Sequence, residues 1–480
     1  MVFNSLEYLL FLPIVFLLYW LVFKTVRSRN LFIIAASYLF YGWWSWKFLI
    51  LIFITTLCSY LSGIAIEKSV SRVSRRGFLI ANIVLNLGIL FTYKYFNFFA
   101  ASFAQLFSAF GMTADDVTLN LILPVGISFY TFQALSYSID VYRREIKATR
   151  DVAAFFSFIS FFPQLVAGPI ERATNLLPQF LKNRTFDYSD AVEGMKLILW
   201  GLFKKVLVAD NCARLVNIIF DRYSTLGGGN LWCGAILFTF QIYGDFSGYS
   251  DMAIGSAKLF GINLMRNFDR PYFSKSIPEF WQRWHISLQS WFRDYIYIPL
   301  GGSRKGKTKT VRNTISVFLI SGLWHGANWT FIVWGLYHAL LFTPRFLRKK
   351  NSAPFIKVTP KLKPFSESIG MGITFMLVVI GWVIFRSDTL NDAIHYIGGM
   401  FTNWQYTYYV GGKGNYILCL IAISLLIFGE IISRGRPQPF NFPSKGLFAH
   451  RVARWTVYIC VYTFIIIMSG HTTEFIYFQF

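Results

Sequence analysis

Apolar stretches approaching the width of a bilayer recur along the whole chain and alternate with short basic segments. Examples are Leu6–Phe23, Leu31–Trp46, Phe78–Leu90, Leu121–Val141, Ile369–Phe385, Ile417–Ile432 and Val457–Met468. Because several are short or interrupted, we expect about 10 to 12 transmembrane helices in all. The pattern predicts an all-α polytopic membrane protein, with residues 1–480 forming one integral membrane domain.

Composition supports this class and excludes others. Hydrophobic residues make up 55% of the 480 residues and charged residues only 14%, which is atypical of a water-soluble domain. The formal charge of +23 could indicate a nucleic-acid partner, but the basic residues lie in clusters between apolar stretches, as the positive-inside rule predicts. Lys24, Arg27 and Arg29 follow the first span, and Arg451 and Arg454 precede the last. Both termini are therefore expected outside the cytoplasm, and no nucleic-acid partner is expected.

The middle of the chain, about residues 121–345, differs from both ends because Gly, Pro, Asp, Asn, Arg and His interrupt its apolar runs. Such interruptions within a membrane predict broken helices around an internal cavity. From Asn267 to Gly302 the chain is too polar to span. Its apolar positions fall at helical spacing, which predicts helices at the cytoplasmic interface. Asp245 and Asp251 are expected to stabilise the broken region, with three candidate arginine partners, Arg143, Arg270 and Arg283.

Two histidines within this zone are the strongest candidates for chemistry. His325 lies in the run Ser-Gly-Leu-Trp-His-Gly, and His285 lies in Trp-Gln-Arg-Trp-His-Ile-Ser. Ionisable groups within a membrane are rare and usually functional. Burial favours the neutral imidazole, which can accept a proton. No serine nucleophile motif accompanies them, and the five cysteines are scattered without metal-ligand spacing, so no metal site is predicted.

An ordered set of motifs spans nearly the whole chain. They are Leu-Pro-Val-Gly-Ile-Ser-Phe-Tyr (123–130), Pro-Gln-Leu-Val-Ala-Gly-Pro-Ile (163–170), Asp-Phe-Ser-Gly-Tyr-Ser-Asp (245–251), Asn-Phe-Asp-Arg-Pro-Tyr (267–272), Trp-His-Ile-Ser-Leu (284–288), Leu-Trp-His-Gly (323–326) and Phe-Ile-Tyr-Phe-Gln-Phe (475–480). Through them the chain resembles the membrane-bound O-acyltransferases, in particular the bacterial branch that O-acetylates exported polysaccharides such as alginate and peptidoglycan.

The resemblance implies a fold and a reaction. It implies a ring of tilted helices, with re-entrant and interfacial helices, around a central funnel in the bacterial inner membrane. His325 would be the essential residue and His285 a second, less strictly required one. Acetyl-CoA would be the cytosolic donor, and an exported polysaccharide would receive the acetyl group, often through a secreted or lipid-anchored SGNH-hydrolase-like partner. Tyr477, in the motif at 475–480, would be the transient acyl acceptor.

Residue chemistry adds candidates for donor binding. Trp281, Trp284 and Trp324 could form aromatic walls and donate indole N–H bonds to an oxyanion. Arg304 and Lys305, in a basic segment predicted to face the cytoplasm, could meet the phosphates of coenzyme A.

Two alternatives stay open at this point. D-alanyl transfer to teichoic acid uses a carrier-protein thioester in similar proteins, with the aromatic relay tail on a separate small peptide. A transporter also needs broken helices and polar groups at the midplane, although no internal repeat accompanies them here.

Overall fold

The computed structural model describes residues 1–112, 118–347, 363–402, 404, 410–436, 438–442, 446, 450–468 and 473–476. Within these ranges the protein is helical and contains no strand, as the sequence predicts. The chain divides into two compact units. The first comprises residues 1–198 and 249–265, and the second comprises residues 199–248 and 266–480.

Among its described residues, the first unit contains nine complete helices and most of a tenth. They are α1 Leu6–Leu21, α2 Val26–Ser45, α3 Leu49–Lys68, α4 Arg72–Leu90, α5 Phe96–Ala109, α6 Ile127–Arg143, α7 Val152–Ser160, α8 Phe162–Leu165, α9 Ala173–Leu181 and α10 Tyr188–Leu202. A π-helical segment, Phe91–Tyr95, joins α4 to α5. The short α7 and α8 confirm the predicted interruption at the Pro-Gln-Leu-Val-Ala-Gly-Pro motif.

The second unit follows α10 through another π-helical segment, Phe203–Ala209. Its helices are α11 Asp210–Asp221, α12 Gly228–Leu259, α13 Ile277–Arg283, α14 Ile286–Phe292, α15 Lys307–His325, α16 Trp329–Phe342, α17 Pro344–Leu347, α18 Lys363–Arg386, α19 Leu390–Phe401, α20 Lys413–Ile432 and α21 Arg451–Met468. The last turns of α12, from residue 249 onward, belong to the first unit.

Long apolar helices agree with a multi-pass membrane protein. Within the described ranges, five helical stretches are long and apolar enough to cross a bilayer. They are Val26–Lys68, Arg72–Ala109, Phe365–Arg386, Lys413–Ile432 and Arg451–Met468. The first two each contain two successive helices, α2 with α3 and α4 with α5. The total of about 10 to 12 spans stays a prediction.

The predicted span Leu121–Val141 was wrong in its first part, because α6 begins only at Ile127. Gly126 precedes it with φ +76°, a left-handed conformation that favours glycine. A Cβ at Gly126 would lie 2.5 Å from the carbonyl oxygen of Leu165. The Leu-Pro-Val-Gly motif therefore ends in a turn that packs directly on the backbone of the Pro-Gln-Leu-Val-Ala-Gly-Pro motif.

Glycines let α12 pack closely against α10. In the first unit a Cβ at Gly255 would lie 2.5 Å from the carbonyl oxygen of Gly194, and in the second a Cβ at Gly248 would lie 2.7 Å from that of Gly201. Small residues at such contacts allow two helix backbones to approach. The glycines of α12 therefore determine how closely this helix, which carries Asp245, approaches α10.

We predict that Gly255→Ala destabilises the protein, because its methyl group would collide with a backbone carbonyl that cannot rotate away. The expected loss is about 1–3 kcal/mol in the free energy of unfolding, read as a lower thermal midpoint of the purified protein. Gly88→Ala is the matched control, since a Cβ at this α4 position meets nothing within 4 Å. Equal midpoints for the two variants would contradict the close packing.

Candidate active site

His325 is the last residue of α15 and is buried, with 4% of its surface exposed. Its ring centroid lies 4.9 Å from that of Trp324, 5.1 Å from Trp334 on α16 and 5.5 Å from Phe385 on α18. Three helices thus surround the imidazole with aromatic side chains.

His285 lies in the break between α13 and α14, where its backbone has φ +45°. This left-handed conformation is costly for a residue with a side chain, about 1–3 kcal/mol, and is typical of functional sites. Asn267 holds the break: its carbonyl accepts a 2.9 Å bond from the Ile286 N–H, and its Oδ1 accepts a 2.6 Å bond from the Ser287 hydroxyl. The helices predicted in this segment are therefore present as α13 and α14, with a break at Trp284 and His285 that the spacing did not predict.

The structure brings the two candidate histidines together through one indole. The Trp324 centroid lies 5.8 Å from His285 and 4.9 Å from His325. On its other side His325 contacts Trp334, whose ring lies 5.2 Å from His338. Three histidines and two tryptophans therefore alternate in one buried row. Sequence reasoning gave no role to His338, which no motif marks.

The other candidate tryptophans join the same cluster. Trp281 lies 5.6 Å from Trp334 and 5.0 Å from His338, and Trp284 lies 4.9 Å from Trp382. The indole N–H groups of Trp281 and Trp334 are buried and have no hydrogen-bond partner among the described residues. Buried donors without partners are uncommon. These two could donate to an oxygen of a bound substrate.

Arg304 and Lys305 are not part of this cluster. Both are exposed and precede α15, whereas His325 ends it. Eighteen residue steps of about 1.5 Å place the start of α15 about 27 Å from His325 along the helix axis. These basic side chains could attract the distal phosphates of a long donor, but they are too far away to contact its reacting thioester.

Asp245, on α12, pairs with a lysine. Its Oδ1 lies 2.8 Å from Nζ of Lys205, which is also 2.8 Å from Oδ1 of Asp210. The expected arginine partner was therefore wrong. Sequence reasoning missed Lys205, although two adjacent lysines, Lys204 and Lys205, within the apolar stretch before Asp210 were a usable signal.

Tyr477 and the residues after it lie outside the described residues, but the four residues before Tyr477 are described. Phe475 and Ile476 are buried. The ring of Phe475 lies 6.2 Å from that of Phe246, which lies 4.7 Å from the imidazole of His285. The C-terminal segment therefore reaches the histidine cluster through one phenylalanine.

Comparison with known proteins agrees with the motifs. The family model for the membrane-bound O-acyltransferase (MBOAT) family matches residues 31–369. A probable alginate O-acetylase AlgI of Azotobacter vinelandii is 41% identical over 450 residues, covering 93% of this chain and 87% of the relative. A peptidoglycan O-acetyltransferase of Helicobacter pylori is 35% identical, covering 81% and 77%. A teichoic acid D-alanyltransferase of Bacillus subtilis is 31% identical, covering 55% and 69%.

Motifs, fold and comparisons therefore agree. The relatives similar over most of the chain are O-acetylating proteins, whereas the D-alanyltransferase is similar over about half of it. The family assignment sets aside the transporter alternative, because the family is one of enzymes. This chain belongs to the membrane-bound O-acyltransferase family and is a multi-pass membrane O-acyltransferase.

Proposed function

We propose that this enzyme takes an acetyl group from cytosolic acetyl-CoA and delivers it across the membrane for O-acetylation of an exported polysaccharide. The observation that carries the proposal is the pair of buried histidines, His285 and His325, on either side of Trp324. The alginate and peptidoglycan relatives support this acceptor class.

His325 acts as the general base. Its neutral imidazole takes the proton of the attacking hydroxyl as that oxygen bonds to the thioester carbon. The carbon–sulfur bond then breaks, and the thiolate of coenzyme A leaves with the proton that the imidazolium returns. His285 orients this ring or polarises the carbonyl, and the buried indole N–H groups of Trp281 and Trp334 stabilise the oxyanion.

Tyr477 relays the acetyl group in two balanced steps. Its phenol oxygen first attacks the thioester carbonyl, giving O-acetyl-tyrosine and coenzyme A. A hydroxyl on the far side then attacks this ester and regenerates the phenol. In this proposal the second hydroxyl belongs to an SGNH-hydrolase-like partner, which passes the acetyl group on to the polysaccharide.

The bacterial inner membrane is the proposed location, with both termini on the extracytoplasmic side. The distribution of lysine and arginine supports this orientation. Arg304 and Lys305 would then attract the phosphates of the donor at the cytoplasmic face.

D-alanyl transfer to teichoic acid is the alternative acyl transfer. In it the donor would be a carrier-protein thioester. The aromatic tail within this same chain favours acetyl transfer, because we expect the tail on a separate peptide in the D-alanyl system.

We predict that His325→Gln abolishes turnover of radiolabelled acetyl-CoA by the purified protein. Glutamine keeps polar bulk but cannot act as a base near neutral pH, and general-base catalysis contributes about 10²–10⁴-fold. The measurement is the rate of acetyl-CoA hydrolysis together with labelling of the protein.

His338→Gln is the matched control, because His338 is equally buried and contacts the same Trp334. It should retain activity within about tenfold while perturbing the aromatic packing similarly. Unchanged turnover in His325→Gln, in a protein with the same thermal midpoint as the wild type, would refute the assignment of the base.

We predict that Tyr477→Phe abolishes delivery of acetyl to the acceptor but leaves slow hydrolysis of acetyl-CoA. Only the phenolic oxygen is lost, so donor binding and the base are retained. The readouts are acetylated polysaccharide in cells and O-acetyl-tyrosine in the purified protein by mass spectrometry.

Tyr462→Phe, the same change at a half-exposed position on α21, is the control and should retain delivery. Full polysaccharide acetylation in cells carrying Tyr477→Phe would exclude the relay.

A further inference from the structure

We infer that Lys205, Asp210 and Asp245 form a binding site for the chain's own C-terminal segment, residues 473–476, with Asp245 as its main positioning residue. We name these three side chains the tail dock. The ligand is an extended peptide, recognised through its backbone N–H and C=O groups and one hydroxyl.

The tail dock is a buried ionic cluster. Each of its three residues has no more than 4% of its surface exposed. Lys205 Nζ lies 2.8 Å from a carboxylate oxygen of both Asp210 and Asp245. A single ammonium facing two carboxylates leaves an excess negative charge in an apolar interior, which is costly without further hydrogen-bond donors.

The C-terminal segment supplies those donors. The backbone N–H of Ile476 donates to Asp245 Oδ2 at 2.6 Å, and the Thr473 hydroxyl donates to Asp210 Oδ1. In the other direction Lys205 Nζ donates to the Thr473 carbonyl at 3.0 Å. Every member of the cluster thus bonds to the segment, so its charges and the tail stabilise each other.

Two features of the helices build the dock. Lys205 lies in the π-helical segment Phe203–Ala209, a type of distortion frequent at functional sites. The Asn211 side-chain amide donates to the carbonyls of Val206 and Leu207 in this segment. Close packing at Gly248 brings α12, and with it Asp245, against this stretch.

The dock has a consequence for catalysis that rests on the proposed function. Tyr477 directly follows Ile476 in the sequence, and Phe246 directly follows Asp245 and contacts both Phe475 and His285. The dock therefore holds Ile476, the residue to which the proposed relay residue Tyr477 is bonded, near the histidine cluster. Asp245 acts through the tail and does not touch the reacting groups.

Hydrogen–deuterium exchange of the full-length protein in nanodiscs tests the dock directly, in peptides covering residues 473–480. Asp245→Leu removes the acceptor of the Ile476 N–H and leaves Lys205 and Asp210 as a neutral pair. Thr473→Val removes the hydroxyl from the opposite side. We expect exchange about tenfold faster or more in Asp245→Leu, since hydrogen bonds to charged groups are the stronger ones, and faster exchange also in Thr473→Val.

Conservative variants serve as matched controls. Thr473→Ser keeps the hydroxyl and should exchange like the wild type, and Asp245→Asn keeps an acceptor oxygen and should lie between wild type and Asp245→Leu. Peptides from α1 report global unfolding and should not change in any variant.

Activity then tests the positioning role. In Asp245→Leu and Thr473→Val, kcat for acceptor acetylation should fall about tenfold or more, while KM for acetyl-CoA and its His325-dependent hydrolysis stay unchanged. Thr473→Ser, which keeps the hydroxyl, should retain delivery of acetyl to the acceptor. A merely structural role would lower hydrolysis and delivery together.

The outcomes separate the two proposals. Unchanged exchange in both Asp245→Leu and Thr473→Val would overturn the dock, whatever the enzyme acetylates. Faster exchange with full delivery would overturn the positioning role of Asp245. Absence of His325-dependent hydrolysis in the wild-type background would overturn the proposed function, and the exchange rates would still decide the dock.

Discussion

Polar groups buried in this helical protein must find their partners within it, because neither lipid nor apolar side chains can satisfy them. Asn82 in α4 donates to Ser138 in α6 at 2.8 Å, and Lys205 reaches two carboxylates and a backbone carbonyl. The same constraint explains why the C-terminal segment is held: its Ile476 N–H completes the hydrogen bonding of Asp245. The positions of the hydrogen-bonding partners therefore determine how the C-terminal segment is held beside Asp245.

The histidine cluster is built under the same constraint by a different route. Aromatic rings surround His285 and His325 and exclude water, and the backbone conformation of His285 is fixed by Asn267. Exclusion of water strengthens the hydrogen bonds made to charge that develops during acyl transfer. Rigid placement by three helices and a hydrogen-bonded break would keep the imidazoles in position without further reorganisation.

Sequence alone predicted much of this site. Hydropathy and ordered motifs predict the helical class and the family, which the structure and the comparisons confirm. The structure places Trp324 between His285 and His325, and Trp281 and Trp284 pack against Trp334 and Trp382 in the same aromatic cluster. The catalytic role of His325 stays a prediction. The fold class and the family could be predicted because they depend on local sequence.

Other features depend on contacts between distant segments, and sequence did not predict them. The left-handed conformation at His285 requires Asn267, which lies eighteen residues earlier. The partner of Asp245 is Lys205, which the packing of α12 against the π-helical segment Phe203–Ala209 brings near. The separation of Arg304 from His325 follows from the uninterrupted length of α15, which sequence pattern alone did not define.

The central claim is that one imidazole serves a thioester from one side of the membrane and a nucleophile from the other. Sealed proteoliposomes test it, with orientation assigned by tryptic cleavage at the exposed Lys305. We predict that labelled acetyl-CoA supplied at the Lys305 face labels Tyr477, in a His325-dependent manner, and that a membrane-impermeant hydroxylamine polymer removes the label only from the opposite face. Labelling and removal from the same face would contradict the account.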